Sequence, residues 1–263
     1  MHNEFTQLIL NLTAEAGVAL DEKQAGLLTR HIQLMLEWNT RLNLTRITKS
    51  EDIVIKHILD SVLPAKYLPS AGNALDVGSG AGFPGIPLKI LCPDLEMVLL
   101  DSSRKKISYL TAVIATLGLK GMRAFHGRWQ DLSRMKEHSG GFALITMRAL
   151  KLEPEHLSSL APTILAPGGI LAWWGAAEPG QKATDIDSYQ AAIVEVKPEL
   201  SKSLLPSFQK VGRQNANTYA SGRNPASDMA FQGDFDYSLP GIKQRRAILV
   251  WEKQPGITDH EKG

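Results

Sequence analysis

The chemistry legible in this chain concentrates in ten residues: Asp76-Val77-Gly78-Ser79-Gly80-Ala81-Gly82-Phe83-Pro84-Gly85. Glycine lets the backbone turn tightly and lets a ligand approach it with no Cβ in the way. Apolar Ala74 to Val77 before the segment and Ile86 to Leu91 after it predict a strand leading into a short helix. Such a turn, at the carboxyl end of a strand, is where doubly wound sheets bind nucleotides. Two registers compete. Gly80, Gly82 and Gly85 satisfy G-x-G-x-x-G, the dinucleotide fingerprint, which is weak when it stands alone. Read from Gly78 instead, Asp76 lies two positions before the first glycine. An acid there repels a pyrophosphate and suits a cationic group. Asp101, closing a second predicted strand, suits a ribose diol in either register. A plain glycine-rich turn is the third reading.

The D-x-G-x-G register resembles motif I of the S-adenosylmethionine-dependent methyltransferases. It competes with an NAD-type oxidoreductase on the shifted glycines. Other chemistry finds less support. The single cysteine, Cys92, excludes a disulfide framework and a cysteine-cluster zinc site. It precedes Pro93 at the end of a predicted helix, away from the strand tips, so it reads as packing rather than as the nucleophile that cytosine C5 methylation needs. The fourth strand ends in Thr146-Met147-Arg148-Ala149, not in the Asn/Asp-Pro-Pro-aromatic turn used on exocyclic amines. His57, Asp60 and Ser61 fall at i, i+3 and i+4 on one helix, with no strand-tip nucleophile elbow. They read as a docking face for the cofactor loop or as RNA contacts, not as a hydrolase triad.

The elements that must position these residues follow from periodicity. The first 70 or so residues read as helical: Asp21 with Gln24 forms a capping box, and Leu27, His31, Leu34, Trp38 and Leu42 share a face. Ser50 is expected to cap a further helix striped by Val54, Ile55, Ile58, Leu59 and Val62 and ended near Pro64. Strands then alternate with helices. Strands are predicted at Ala74–Val77, Met97–Leu100, Met122–His126, Phe142–Thr146, Ile170–Trp174 and Ala247–Trp251, with a weaker one at Ala191–Val196. Ser103–Leu117 is a helix stopped by Gly118, and Leu157–Leu165 a second, closed by Pro167-Gly168-Gly169. Alternation of this kind gives a parallel sheet covered on both faces. Ser201–Gly241 is polar and reads as a long loop insertion, and residues 254–263 as a loose tail.

The order of several motifs resembles one family, the bacterial small-subunit ribosomal RNA guanine-N7 methyltransferases, also called glucose-inhibited division protein B. The matching residues are Asn43-Leu44-Thr45, His57-Ile58-Leu59-Asp60-Ser61, Asp76 to Leu88, and Leu99-Leu100-Asp101-Ser102 followed by Lys105-Lys106. Arg128, Arg148-Ala149 and Arg246 also match. The resemblance implies an α/β fold: a Rossmann-like seven-stranded class I methyltransferase sheet (71–253) behind an N-terminal helical cap (1–70). It places S-adenosylmethionine against Asp76, Gly78, Ser79, Gly80, Phe83, Asp101, Ser102, Trp129, Gln130 and Arg148. Trp129 would wall the adenine or serve only as core. Guanine N7 has a lone pair and no proton, so no general base is expected. Two features depart from the family. Trp174-Gly175 stands where the family usually carries Lys-Gly, and Trp174 could stack on a base but not replace the charge. The 201–241 segment is also longer than expected.

Composition bounds the partners. The 263 residues carry 29 Lys and Arg against 27 Asp and Glu, a net charge of +2, which excludes a wholly basic binder but not a basic face. From Asp101 to Lys151 ten cations face only three anions. Arg104, Lys105, Lys106 and Arg128, with Arg245 and Arg246 near the end, are the expected RNA-binding residues. The first three open a helix, where the dipole disfavours cations, and that points to a functional reason for them. The expected partner is ribosomal RNA or the small ribosomal subunit, bound by a monomer, with no metal and no membrane. The amino terminus lacks the pattern of a secretory signal, so a cytoplasmic location is expected. A non-catalytic RNA-binding protein with a degenerate pocket is a further alternative.

Overall fold

Helix α2 (Glu22–Leu42) starts where its sequence says it must. The Asp21 carboxylate accepts from the Gln24 N–H at 2.7 Å, and the Gln24 amide oxygen accepts from the Asp21 N–H at 3.0 Å. The same Gln24 side chain donates to the Ile90 carbonyl at 3.1 Å, which ties this helix to the short helix over Gly85–Leu91. Helix α1 (His2–Glu15) packs on it through Ile9, Leu28 and Ile32, all fully buried. The computed structural model describes residues 2–129, 141–148, 161, 163–176, 229–242 and 246–253.

The next helical segment is not the uniform helix that the apolar stripe predicts. It opens as α3 (Ser50–Ile53), loosens into a π-helical stretch over Val54–Leu59, resumes as α4 (Asp60–Val62) and tightens into a 3₁₀ turn over Leu63–Tyr67. Lys49, not Ser50, holds the N-cap position, and no side chain caps it. Pro64 falls in the first turn of the 3₁₀ segment, where its missing N–H costs nothing.

Then come β1 (Ala71–Val77), α5 (Gly85–Leu91), β2 (Asp94–Asp101), α6 (Arg104–Leu117), β3 (Met122–His126), β4 (Phe142–Arg148), β5 (Leu165–Ala176), β6 (Met229–Tyr237) and β7 (Arg246–Lys253). They form a seven-stranded sheet in the order β3-β2-β1-β4-β5-β7-β6. The first five strands in that order pair in parallel and β7 is antiparallel to both its neighbours. The fold class expected from the sequence is therefore the one observed. Strand alternation sorts the core into two layers. Ala74, Met97, Leu99, Leu144, Ala172, Ile248 and Val250 face the layer that includes the N-terminal helices. Leu75, Val98, Leu100, Ile145, Leu171, Leu249 and Trp251 face the other. Truncating any of the leucines, isoleucines or Met97 among them to alanine removes about 2–5 kcal/mol.

Three boundaries differ from expectation. Residues 229–237 are strand β6 rather than part of a loop, paired with β7 through a register shift between Phe231 and Gly233. Helical backbone at residues 163–164 gives way to β5 already at Leu165, so Pro167-Gly168-Gly169 lies inside the strand. There the pairing with β4 shifts register, and Gly168 takes φ +74°. The predicted strand at 191–196 and residues 201–228 lie outside the described residues.

Candidate active site

The glycine turn sits between β1 and α5, pinned to the neighbouring strand tip. The N–H groups of Gly78 and Ser79 both donate to the Leu100 carbonyl, at 2.8 and 3.0 Å. Gly78, Gly80 and Gly82 have φ of +70°, +58° and +91°. Those are left-handed values that a side chain rarely tolerates. Space explains the rest of the pattern. A Cβ on Gly82 would fall 2.4 Å from Ile86 Cδ1, and one on Gly85 2.9 Å from Asp76 Oδ2. At Gly80 the nearest atom to such a Cβ is the Gly78 carbonyl oxygen at 3.7 Å, so the backbone there is open to a ligand.

Two carboxylates flank this turn from adjacent strands. Asp101 ends β2 and is buried. Its Oδ2 accepts from the Gly80 N–H at 3.0 Å, its Oδ1 from the Ser103 N–H at 2.8 Å, and Lys106 Nζ stands 3.6 Å away. One side chain thus joins the turn to the start of α6, and each oxygen keeps lone-pair capacity for a further donor. Asp76 is fully buried, with Oδ1 accepting from the Thr146 hydroxyl at 2.8 Å. Burial raises its pKa to about 6, against the Thr146 hydrogen bond and other lowering influences. It therefore braces the turn from β1 and, near neutral pH, carries mostly negative charge.

The cap closes the turn from its other side. Phe83 is buried with its ring 4.6 Å from that of His31 and 4.7 Å from that of His57. The His57 ring lies nearly parallel to Phe83, at 12°, and the Arg148 guanidinium stands over the same ring at 5.4 Å. Burial lowers the His31 pKa to about 4. Burial, then the Arg148 charge, lowers His57 to about 3. Both imidazoles are neutral at pH 7. His57 is anchored by the Thr45 hydroxyl at 2.9 Å.

Arg148, at the tip of β4, donates to Asp60 Oδ2 at 3.2 Å. Burial lowers its pKa, and Asp60 opposes that shift. Tyr237 of β6 donates to Asp60 Oδ1 at 2.7 Å, and Trp174 of β5 donates through Nε1 to the Asp60 carbonyl at 2.8 Å. Asp60 so gathers the tips of three strands. The docking reading of His57 and Asp60 holds, since one packs on the turn and the other pairs with Arg148. Trp174 cannot stack on a base in this arrangement. It is 5% exposed, its ring is in the core, and its one donor is used within the protein.

The remaining expected site residues divide. Ser102 is exposed and its carbonyl faces His126 Nε2 at 3.1 Å. Trp129 is buried with Leu100 and Ile145, and its indole N–H meets no acceptor among the described residues. Arg104, Lys105 and Arg128 are exposed on the β2–β3 side of the turn, with Lys106 half-buried beside them. Arg246 opens antiparallel β7 opposite Ala176, which brings it to the same end of the sheet. Gln130 and Arg245 lie outside the described residues. Sequence reasoning missed His31, Tyr109, Thr146 and Tyr237 as site residues. Only His31 left a signal, a polar residue within the apolar stripe of α2. Among the described residues no cluster of His, Cys, Asp and Glu has metal-ligand geometry, and no helix is long and apolar enough to cross a membrane.

The family model described as "GidB: rRNA small subunit methyltransferase G" matches residues 24–201, which take in the cap helix, the glycine turn, Asp101 and Arg148. The chain belongs to this family. Ribosomal RNA small subunit methyltransferase G 1 of Syntrophobacter fumaroxidans is 51% identical over 159 residues, 60% of this chain and 72% of that protein. The methyltransferase G of a Geobacter species (strain M21) is 38% identical over 193 residues, 72% of this chain and 88% of that protein. Family membership makes this chain a small-subunit ribosomal RNA methyltransferase and removes the ground for the dinucleotide oxidoreductase. Solved structures share the fold at low identity. YcgJ from Bacillus subtilis aligns at a TM-score of 0.50 and 12% identity, covering 76% of this chain and 100% of its own. Geranyl diphosphate C-methyltransferase from Streptomyces coelicolor A3(2) aligns at 0.50 and 8%, covering 80% and 85%.

Proposed function

We propose that this chain transfers the methyl group of S-adenosylmethionine to N7 of a guanine in small-subunit ribosomal RNA. The observation that carries the reading is Asp101. Its carboxylate stands at the strand tip beside an open glycine backbone, where it can receive a ribose diol. With Asp76 behind the same turn, the site holds two acidic groups, which favours a sulfonium and opposes a pyrophosphate.

The backbone of Gly78 to Gly80 and the ring of Phe83 would line the cofactor, with Asp101 and Ser102 at the ribose. Trp129 and Gln130 would stand at the adenine and Arg148 near the amino-acid end. The bound cofactor supplies an electrophilic methyl on sulfur. Guanine N7 brings its own lone pair, so the chain's residues align the partners and exclude water rather than remove a proton. Arg104, Lys105, Lys106, Arg128, Arg245 and Arg246 would hold the phosphate backbone around that end of the sheet. A cytoplasmic monomer acting on ribosomal RNA or the small subunit fits this arrangement, with residues 1–70 as cap and 71–253 as the transferase domain.

The test is purified protein with methyl-labelled cofactor and small subunits from cells lacking the protein. Label is expected at one guanine, as N7-methylguanosine, and lost in Gly78→Val. Full labelling by Gly78→Val, or label on another atom, would reject the reading.

A further inference from the structure

The cap does more than cover the glycine turn. Ala81 lies between two glycines of positive φ, and its carbonyl points into the buried layer. Two donors converge on it from two different elements. His31 Nε2 of α2 lies at 2.9 Å and Tyr109 Oη of α6 at 3.3 Å. The acceptor is a carbonyl and the imidazole is neutral, so Nε2 carries the proton. The C=O of Ala81 and the N–H of Gly82 belong to one peptide plane and point in opposite directions. Holding the carbonyl toward His31 therefore directs the Gly82 N–H away, onto the Ser79 carbonyl at 2.7 Å. That bond closes the turn, and the Phe83 N–H joins it at 3.2 Å. The imidazole also packs on Phe83. Glycine at position 82 leaves the space the imidazole uses, since a Cβ there would come within 3.1 Å of Nε2.

We propose that His31 is a positioning residue for the cofactor turn, fixing the Ala81–Gly82 peptide plane through its Nε2–H so that the backbone of Gly78 to Gly82 is preformed for the ligand. The inference rests on the reading of that turn as the S-adenosylmethionine site. Tyr109, at the longer distance, is the weaker second donor. The helical cap thereby sets cofactor affinity through the shape of the turn.

Three variants decide it. His31→Phe keeps an aromatic ring and loses the donor, His31→Gln keeps a donor of similar reach, and Tyr109→Phe removes the second donor. Thermal unfolding identifies any variant that fails to fold. Hydrogen exchange is read on the free protein at the Gly82 and Phe83 amides, and S-adenosylhomocysteine binding by titration calorimetry. His31→Phe is expected to speed exchange at those amides and to weaken binding by about 10-fold each. Its KM for S-adenosylmethionine rises in step, while kcat at saturating cofactor stays within about 2-fold. His31→Gln stays within about 3-fold of the parent in all readouts, and adding Tyr109→Phe to His31→Phe deepens the loss. Parental exchange and affinity in folded His31→Phe would overturn the proposal, as would a His31→Gln no better than His31→Phe. If the parent protein binds neither S-adenosylmethionine nor its by-product, the cofactor reading fails. The exchange comparison still decides whether His31 holds the turn.

Discussion

The two sides of the glycine turn are built on opposite principles. Toward β4 and β5 the polar side chains are drawn inward and paired: Arg148, Tyr237 and Trp174 all end on Asp60, and Phe83 packs against two neutral imidazoles. Toward β2 and β3 the surface is open and basic, with Ser102, Arg104, Lys105 and Arg128 exposed around the single buried carboxylate of Asp101. A wall that must keep its shape is made of desolvated, mutually satisfied groups, where each loss is large. A wall that must receive a polyanion keeps its cations in water, where each contributes little to the fold. The same cap residues that make the first wall rigid leave the second free.

That contrast can be broken most severely at Asp60. Asp60→Ala strands Arg148 without its counter-charge and removes the acceptor of Tyr237. A loss of about 3–5 kcal/mol in unfolding free energy is expected, read by denaturant melts. Asp101→Ala comes next, acting on ligand rather than fold. Removing the acceptor of two backbone N–H groups and a ribose should weaken S-adenosylhomocysteine binding about 100-fold by calorimetry.

Acid probes the closed wall. His31 and His57 have folded pKa values near 4 and 3, below the unfolded 6.5, so their contribution is intact above pH 6.5 and is lost as pH falls toward those values. Asp76, raised to about 6, works in the opposite direction, costing stability as pH rises past about 4 to 6. Two histidines outweigh one aspartate, so unfolding free energy should fall between pH 6.5 and 5. His31→Gln should remove roughly 2 kcal/mol of that fall, read from melts across pH. On the open wall, Arg104→Gln with Lys105→Gln should leave cofactor binding unchanged. It should reduce the slope of log affinity for RNA against log salt by about 1.5. The smallest effect expected is Trp174→Phe. It deletes one hydrogen bond to the Asp60 carbonyl and should cost about 1 kcal/mol of stability while leaving RNA affinity in place. A large loss of RNA binding there would mean that the indole touches substrate after all.

Local chemistry was legible in the sequence and long-range chemistry was not. The Asp21–Gln24 box, the Gly118 stop at φ +63° and the glycine turn each depend on residues a few positions apart, and each stands where periodicity and turn preferences put it. The parallel strands could be read because alternate residues serve two apolar layers. Strand β6 escaped because it is a polar edge strand with a register shift, held by its partner rather than by its own pattern. Pro167 to Gly169 read as a stop, yet a bulged strand accommodates them. The Asp60 hub escaped for a different reason. Tyr237 is 177 residues away, and nothing in the neighbourhood of either residue names the other. Trp174 looked like a surface replacement for a charge because its burial is decided by that same distant partner.

The loosened coil over Val54–Leu59 carries a lesson for anyone editing this chain. An α-helix advances about 100° per residue and a π-helix, with its i→i+5 bonds, only about 80°, so the six residues there turn the chain about as far as five α-helical ones would. A change of length without a matching change of winding would turn the acid that collects three strand ends elsewhere, while His31 on the preceding helix kept its grip on the turn. Length and winding in that short segment are thus matched to each other, and insertions or deletions belong in the loops on either side.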